Sequence, residues 1–256
     1  MSAVEIVGRG FLARHLSALP ASHGEVTVLA AGVSSTAVGS PDAFRREAYL
    51  VRATARRCRA EGRTVVFFST ASSALYGTCD TPAGEDAAAP GIPYGRHKLH
   101  LEEELAGSGA SWLVLRLSHV VGAHQRPHQL LPGLVEQITA GHVRVFAGAY
   151  RDLVDVADVT ACLDALLAAG VRNEVFNVAA GTPYAVEDIV RGVEARLDRQ
   201  ARWDVVDAAG RGGRAVVSVD RLRRHVGALA PAGGPAYLAR MLDRYTASYR
   251  PAPAAP

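Results

Sequence analysis

Residues 4–13, VEIVGRGFLA, carry the short apolar run from Val4 to Val7 into Gly8-Arg9-Gly10 and out through Phe11, Leu12 and Ala13, and their reading decides the fold. An apolar run that stops at glycine and resumes with Phe11, Leu12, His15, Leu16 and Leu19 near helical spacing is a strand, a tight turn and a helix. In that context G-x-G-x-x-A is the pattern of a dinucleotide turn. Gly8 lets the chain reverse, Gly10 lets backbone amides approach a pyrophosphate, and Ala13 lets the helix close on the strand. A plain strand-helix turn would show the same glycines, so the reading depends on the chain beyond Ala13.

That chain alternates. Residues 26–30 (VTVLA) read as a second buried strand, and the small-residue loop 31–40 leads into Pro41 with Ser40 available as an N-cap. Phe44, Ala48, Val51, Ala55 and Cys58 then recur at steps of three or four, and Gly62 stops that long helix. Residues 64–68 (TVVFF) form a continuous β-branched and aromatic run, as a central parallel strand covered on both faces requires. A helix over 94–107 and a strand over 112–117 repeat the unit. The expected fold is α/β, a Rossmann-like parallel sheet flanked by helices, with a small mixed α/β C-terminal substrate lobe. Residues 1–120 would be the dinucleotide-binding body and 121–250 mostly the lobe, with elements returning to the body. The Pro/Ala-rich tail 251–256 is expected to be disordered.

Composition narrows the function. The apolar fraction of 49% and charged fraction of 21% are globular values, and no apolar run reaches the ~18 residues of a membrane span. The start has neither a basic leader nor an apolar segment with a cleavage site, so a cytoplasmic location is expected. Cys58, Cys79 and Cys162 form no CxxC, which fits free thiols in a reducing compartment. The net charge of +3 is spread over arginines with no interleaved aromatic residues, which argues against nucleic acid. His97, His100, His119, His124 and His128 lack a completing cysteine or carboxylate, so no metal is expected.

Tyr94-Gly-Arg-His-Lys98 puts a phenol and an ammonium on one helical face. A lysine beside a tyrosine lowers the phenol's pKa, so Tyr94 can act as general acid or base toward a carbonyl or alcohol while Lys98 holds a nicotinamide ribose. The hydroxyl-rich strand end after Phe68 supplies a partner for the substrate oxygen. Counting from the strand favours Thr70; counting back from Tyr76 favours Ser72. No acid stands ~20 residues after the glycines to hold an adenosine ribose. Arg9 can meet a 2′-phosphate or simply point to solvent, which tilts the expected cofactor toward NADP, with NAD as the alternative.

These segments resemble the extended short-chain dehydrogenase/reductase family, the NAD-dependent epimerase/dehydratase type acting on nucleotide sugars, along nearly the whole chain. GRGFLARHL is similar to its glycine turn, with Val7 and Ala13 in place of two glycines. FFSTASSALYG is similar to its strand-end segment, YGRHK to YxxxK, RLSHVVGAHQ to RxxNVYGP, YRDLVDVADV to R-D-F-V-x-V-x-D, and FNVAAG to F-N-V-G. The resemblance aligns VTVLAAGVSS with the family's fourth strand, which implies that the second and third strands, with the acidic ribose anchor, are missing. It implies cofactor contacts from Gly8, Arg9, Gly10, Phe11, Leu12, Ala30, Ala31, Gly32, Tyr94, Lys98 and Leu117. His119, which replaces an asparagine, and Phe146, Arg151 and Arg214 would face the substrate, Phe146 by stacking on its base. Ala71 and Ser72 stand where 4,6-dehydratases carry an acidic pair, so elimination is disfavoured. Ketoreduction or epimerisation of a nucleotide-linked sugar is the leading expectation. A reductase or isomerase of a natural-product intermediate without a nucleotide, and a non-catalytic dinucleotide-binding protein, are the competing ones. The helices over 41–61 and 94–107 could pair across a two-fold axis as a four-helix-bundle homodimer.

Overall fold

The structure is a computed structural model that describes residues 4–34, 40–207 and 213–250. Residues 35–39 of loop 31–40 and the tail 251–256 therefore lie outside the described residues, as does the expected disorder of that tail.

The first half builds β1 (Glu5–Val7), α1 (Phe11–Leu16), β2 (Val26–Leu29), α2 (Pro41–Glu61), β3 (Thr64–Thr70), α3 (Ser73–Tyr76), β4 (Cys79–Ala83), α4 (Pro93–Ala106) and β5 (Ser111–Leu117). Gly62 ends α2 in the left-handed conformation at φ 66°, where a side chain would be strained. Ser40 stands at the N-cap position of α2, but its side chain makes no capping hydrogen bond; Pro41 shapes that end instead. The remainder runs β6 (His119–Val121), α5 (Leu130–Thr139), β7 (His142–Ala147), β8 (Tyr150–Arg151), β9 (Leu153–Asp155), α6 (Val156–Ala168), β10 (Glu174–Val178), β11 (Tyr184–Ala185), α7 (Val186–Leu197), β12 (Arg202–Asp207), β13 (Ala215–Val217), α8 (Asp220–Val226) and α9 (Pro235–Tyr245).

Five strands make a parallel sheet in the order β1-β2-β3-β5-β10. Side chains alternate between its faces. Val28, Val66, Phe68, Leu115 and Phe176 pack with Leu16 of α1 and Val159 and Leu163 of α6. Leu29, Val65, Phe67 and Val114 pack with Val51 and Ala55 of α2 and Leu101 and Leu105 of α4. Covered on both sides, β3 is buried along its whole length, which is why it reads as an unbroken apolar run.

The topology departs from a standard parallel unit at its start. The connections β1-α1-β2, β2-α2-β3 and β3-α4-β5 all step across the sheet in one direction, yet α1 lies on one face and α2 and α4 on the other. The crossover through α1 therefore has the opposite hand to the other two. With those two right-handed, as parallel units almost always are, the α1 crossover is left-handed. β1 pairs directly with β2 and is the sheet edge among the described residues, as expected if two strands that normally intervene in sequence are absent. Because consecutive helices leave neighbouring strands toward opposite faces, a crevice opens at the carboxyl ends of β1 and β2, where parallel sheets bind ligands.

A second apolar core joins α5, β7, α7 and α9 through Val135, Ile138, Val143, Val145, Ile189, Val190 and Met241. β6 pairs with β9 and β12 with β7, so the later part of the chain stands over the carboxyl edge of the sheet. β10, α6 and α8 return to the first core.

Candidate active site

Residues from the ends of β1, β2, β3 and β5 and from the loop after β6 line a cavity of ≈ 440 Å³. Of the residues singled out in the sequence, Arg9, Gly10, Phe11, Leu12, Ala30, Ala31, Gly32, Thr70, Ser72, Tyr94, Lys98, Leu117 and His119 line it. Gly8 does not, but it shapes the wall: at φ 138°, an added Cβ would lie 2.5 Å from the Ala30 carbonyl oxygen, so only glycine lets the ends of β1 and β2 approach this closely. Phe146, Arg151 and Arg214 lie outside the lining. Phe146 packs against the second apolar core, and Arg214 sits near the edge, 3.8 Å from Asp80 and over the Tyr150 ring. Arg151 donates to the Tyr150 carbonyl and stands close enough to His119 to act on its charge.

The chemistry gathers where α4 meets the end of β3. Tyr94 and Lys98, a turn apart, are 8% and 4% exposed. Gly95 makes this possible, since a Cβ there would sit 1.8 Å from the Ala74 carbonyl oxygen; α4 lies directly on the backbone of α3. The Thr70 hydroxyl is near enough to the Tyr94 phenol to act on its proton, and its Oγ1 is 2.8 Å from Ser72 Oγ. Ser72 Oγ also accepts from the Ala74 amide as the N-cap of α3.

The expected electrostatics are reversed. Burial, and then the Glu47 carboxylate, push the Tyr94 phenol well above its ordinary value, against the lowering effect of the Thr70 hydroxyl. The ammonium does not bring it down because Glu47 holds it: Lys98 Nζ donates to Glu47 Oε1 at 2.7 Å and to the Phe68 carbonyl at 3.3 Å, and stands 5.9 Å from the Tyr94 ring centre. The other Glu47 oxygen meets His97 Nε2 at 2.9 Å, and Phe44 stacks on that imidazole. Across the cavity His119 is pushed down to about 4 by burial and by Arg151, so it is neutral at physiological pH. Behind it, burial raises Asp152 to about 6 although the Ala180 amide donates to it at 2.8 Å.

Two groups of lining residues escaped the sequence reading. Glu47 carried a signal: three residues after Phe44 and four before Val51, it is an acid on the apolar stripe of α2. Gln125, Arg126 and Gln129 carried none as lining residues, and His128 stands out only as a candidate metal ligand; all four belong to an irregular loop placed by long-range packing.

A parallel sheet with a glycine turn at its first strand, and a Tyr-x3-Lys helix closing a cavity over its carboxyl edge, defines a Rossmann-like short-chain dehydrogenase/reductase of the extended type. The chain belongs to the NAD dependent epimerase/dehydratase family, which it matches over residues 14–179. It is 25% identical over 150 residues to the dTDP-4-dehydro-6-deoxyglucose reductase of Escherichia coli, a match spanning 53% of this chain and 46% of that enzyme. RMD from Pseudomonas aeruginosa, solved with NADPH, is similar in fold at a TM-score of 0.78 and 19% identity, over 98% of this chain and 100% of that one. A Thermus thermophilus UDP-glucose 4-epimerase solved with NAD gives 0.79 and 20%, over 95% and 98%. Among the described residues no helix is long and apolar enough to cross a membrane.

Proposed function

We propose that this protein is a nicotinamide-dependent oxidoreductase or epimerase of a nucleotide-linked sugar. The observation that carries the reading is the convergence of Tyr94, Thr70 and Lys98 on one wall of a cavity whose other wall is the glycine turn. The residues fit a dinucleotide: Gly8 keeps the cradle open, and Ser69 Oγ and Gln125 Oε1 are buried in the lining with no hydrogen-bond partner among the described residues. Gly10, Ala30, Ala31 and Gly32 would face its phosphates and ribose, Leu117 and Lys98 its nicotinamide half, and Arg9 the 2′-phosphate of NADP. When bound, the nicotinamide gives or takes the hydride. The protein's part is to hold the sugar oxygen between Thr70 and Tyr94 and to move the proton at Tyr94 Oη. Ser72, engaged at the start of α3, supports Thr70.

The nucleotide reading is supported by Arg151, whose guanidinium is largely buried and has no carboxylate partner among the described residues. Burial lowers its pKa, a strain that a diphosphate would relieve. Its relatives include enzymes of dTDP- and UDP-sugars. Near saturation with UDP or dTDP, mass action is expected to raise the melting temperature of the wild type and not of R151M. No shift in the wild type would remove the nucleotide from the proposal and leave a substrate without one, whereas equal upward shifts would remove only the part given to Arg151. A homodimer through α2 and α4 belongs to the same reading: the helices pack side by side, and Tyr49 is 70% exposed on α2.

A further inference from the structure

Glu47 is an acid inside the apolar side of α2, 3% exposed, and its carboxylate forms part of the cavity wall. Burying a carboxylate is costly unless it is paired and hydrogen-bonded, and this one is: Lys98 at 2.7 Å on one oxygen, His97 at 2.9 Å on the other. The chain is shaped around it. Gly32, at φ 149°, has no room for a side chain because a Cβ there would fall within 2.1 Å of Glu47 Oε1. A Glu on α2 and a Lys and a His on α4 thus form one polar cluster against the β2 exit, with the Lys98 ammonium 5.9 Å from the Tyr94 ring centre.

We propose that Glu47 is a positioning residue that anchors and neutralises the Lys98 ammonium, and so poises the resting site as a proton donor for carbonyl reduction rather than as a base for alcohol oxidation. The inference rests on the reading of Tyr94 as the acid–base group. Lys98 and His97 on α4, Glu47 on α2 and His119 across the cavity stand around the phenol with the Thr70 and Ser72 hydroxyls, and the cavity wall also carries Arg9, Arg126 and His128. With its positive charge matched by Glu47, Lys98 exerts little net pull on the phenolic proton. In the reductive direction the carbonyl carbon gains a hydride from a reduced nicotinamide and the oxygen gains the Tyr94 proton. The phenolate left behind is reprotonated from solvent along the Thr70–Ser72 pair, 2.8 Å apart. Oxidation needs the phenolate at the outset, which the Glu47–Lys98 pair disfavours.

The test needs neither cofactor nor substrate, so it stands whether or not any sugar is turned over. Tyrosine labelled with ¹³C at Cζ reports ionisation, and the Tyr94→Phe spectrum identifies the signal. In the wild type Tyr94 is expected to stay protonated up to the pH at which the protein unfolds. In E47Q, with the ammonium released from its partner, it is expected to titrate lower by about one pH unit or more. A Tyr94 titration unchanged in a folded E47Q overturns the proposal. Should E47Q fail to fold, the double variant E47Q/K98M, which leaves no unpaired buried charge, decides. Tyr94 protonated over the same range in the double variant and the wild type supports cancellation of the two charges. Titration of the wild-type phenol clearly below that of the double variant shows an unneutralised Lys98 and overturns it.

Discussion

Tyr94 and His119 face one cavity, and both are shifted toward their neutral forms by burial, one upward and one downward. Both side chains are therefore neutral at physiological pH, beside the paired Lys98 and Glu47. His119 has a measurable consequence. Its folded-state value near 4 lies below the ordinary 6.5, so between those pH values the unfolded chain binds more protons and stability falls as pH falls. Asp152 acts in the other direction: its folded value of about 6 exceeds the ordinary 3.8, so the folded state binds more protons and this carboxyl favours folding toward acid. Replacing His119 by Asn, the residue at the matching place in the family pattern, removes the first effect and leaves the second. Melting temperatures from pH 7 to 4 are expected to diverge, with H119N losing less stability than the wild type as pH drops below 6.5. Parallel curves would show that the imidazole is as well solvated as in the unfolded chain.

The elements show why some of the fold was legible in the sequence and some was not. β3 and α2 declare themselves, because a strand buried on both faces must be apolar throughout, and a 21-residue helix over a sheet must carry a stripe. α5 and α6 end where apolar spacing ends, at Thr139 and Ala168. β4, β8, β11 and β13 were not foreseen: each is 2 to 5 residues long and exists through pairing with a distant partner, which local pattern does not encode. In the site, the Tyr94–Lys98 spacing and the glycine turn were readable, whereas the charge on Lys98 could not be judged without knowing that α2 brings Glu47 beside it. The clearest element-level prediction concerns Gly95. Alanine is the better helix former, but its Cβ would lie 1.8 Å from the Ala74 carbonyl oxygen, so α4 would have to lift off α3. G95A is expected to lose about 1–3 kcal/mol or more in urea unfolding, as overpacked contacts do, and to displace Tyr94 from Thr70. An unchanged or raised stability would show that the two helices have slack between them.

For the whole molecule, the left-handed start of the sheet and the crevice between β1 and β2 belong together. Absence of the two strands that the family resemblance places between α1 and β2 would leave β1 at the edge, where it stands among the described residues, and the exits of β1 and β2 still diverge around a glycine-lined opening. What the shortened body lacks is the far side of that cradle, where an acid would hold an adenosine ribose. On the proposed reading, binding would draw on the pyrophosphate and nicotinamide half, the half assigned to Tyr94, Thr70 and Lys98. That arrangement puts the phenolic proton at the centre of the chemistry, and single-turnover hydride transfer in the Tyr94→Phe enzyme, with reduced cofactor bound and a nucleotide 4-ketosugar as substrate, tests its role most directly. The hydride-transfer rate is expected to fall by about 10²–10⁴-fold with cofactor affinity unchanged, the range typical of losing a positioned general acid. A rate close to wild type with the cofactor bound would contradict that role.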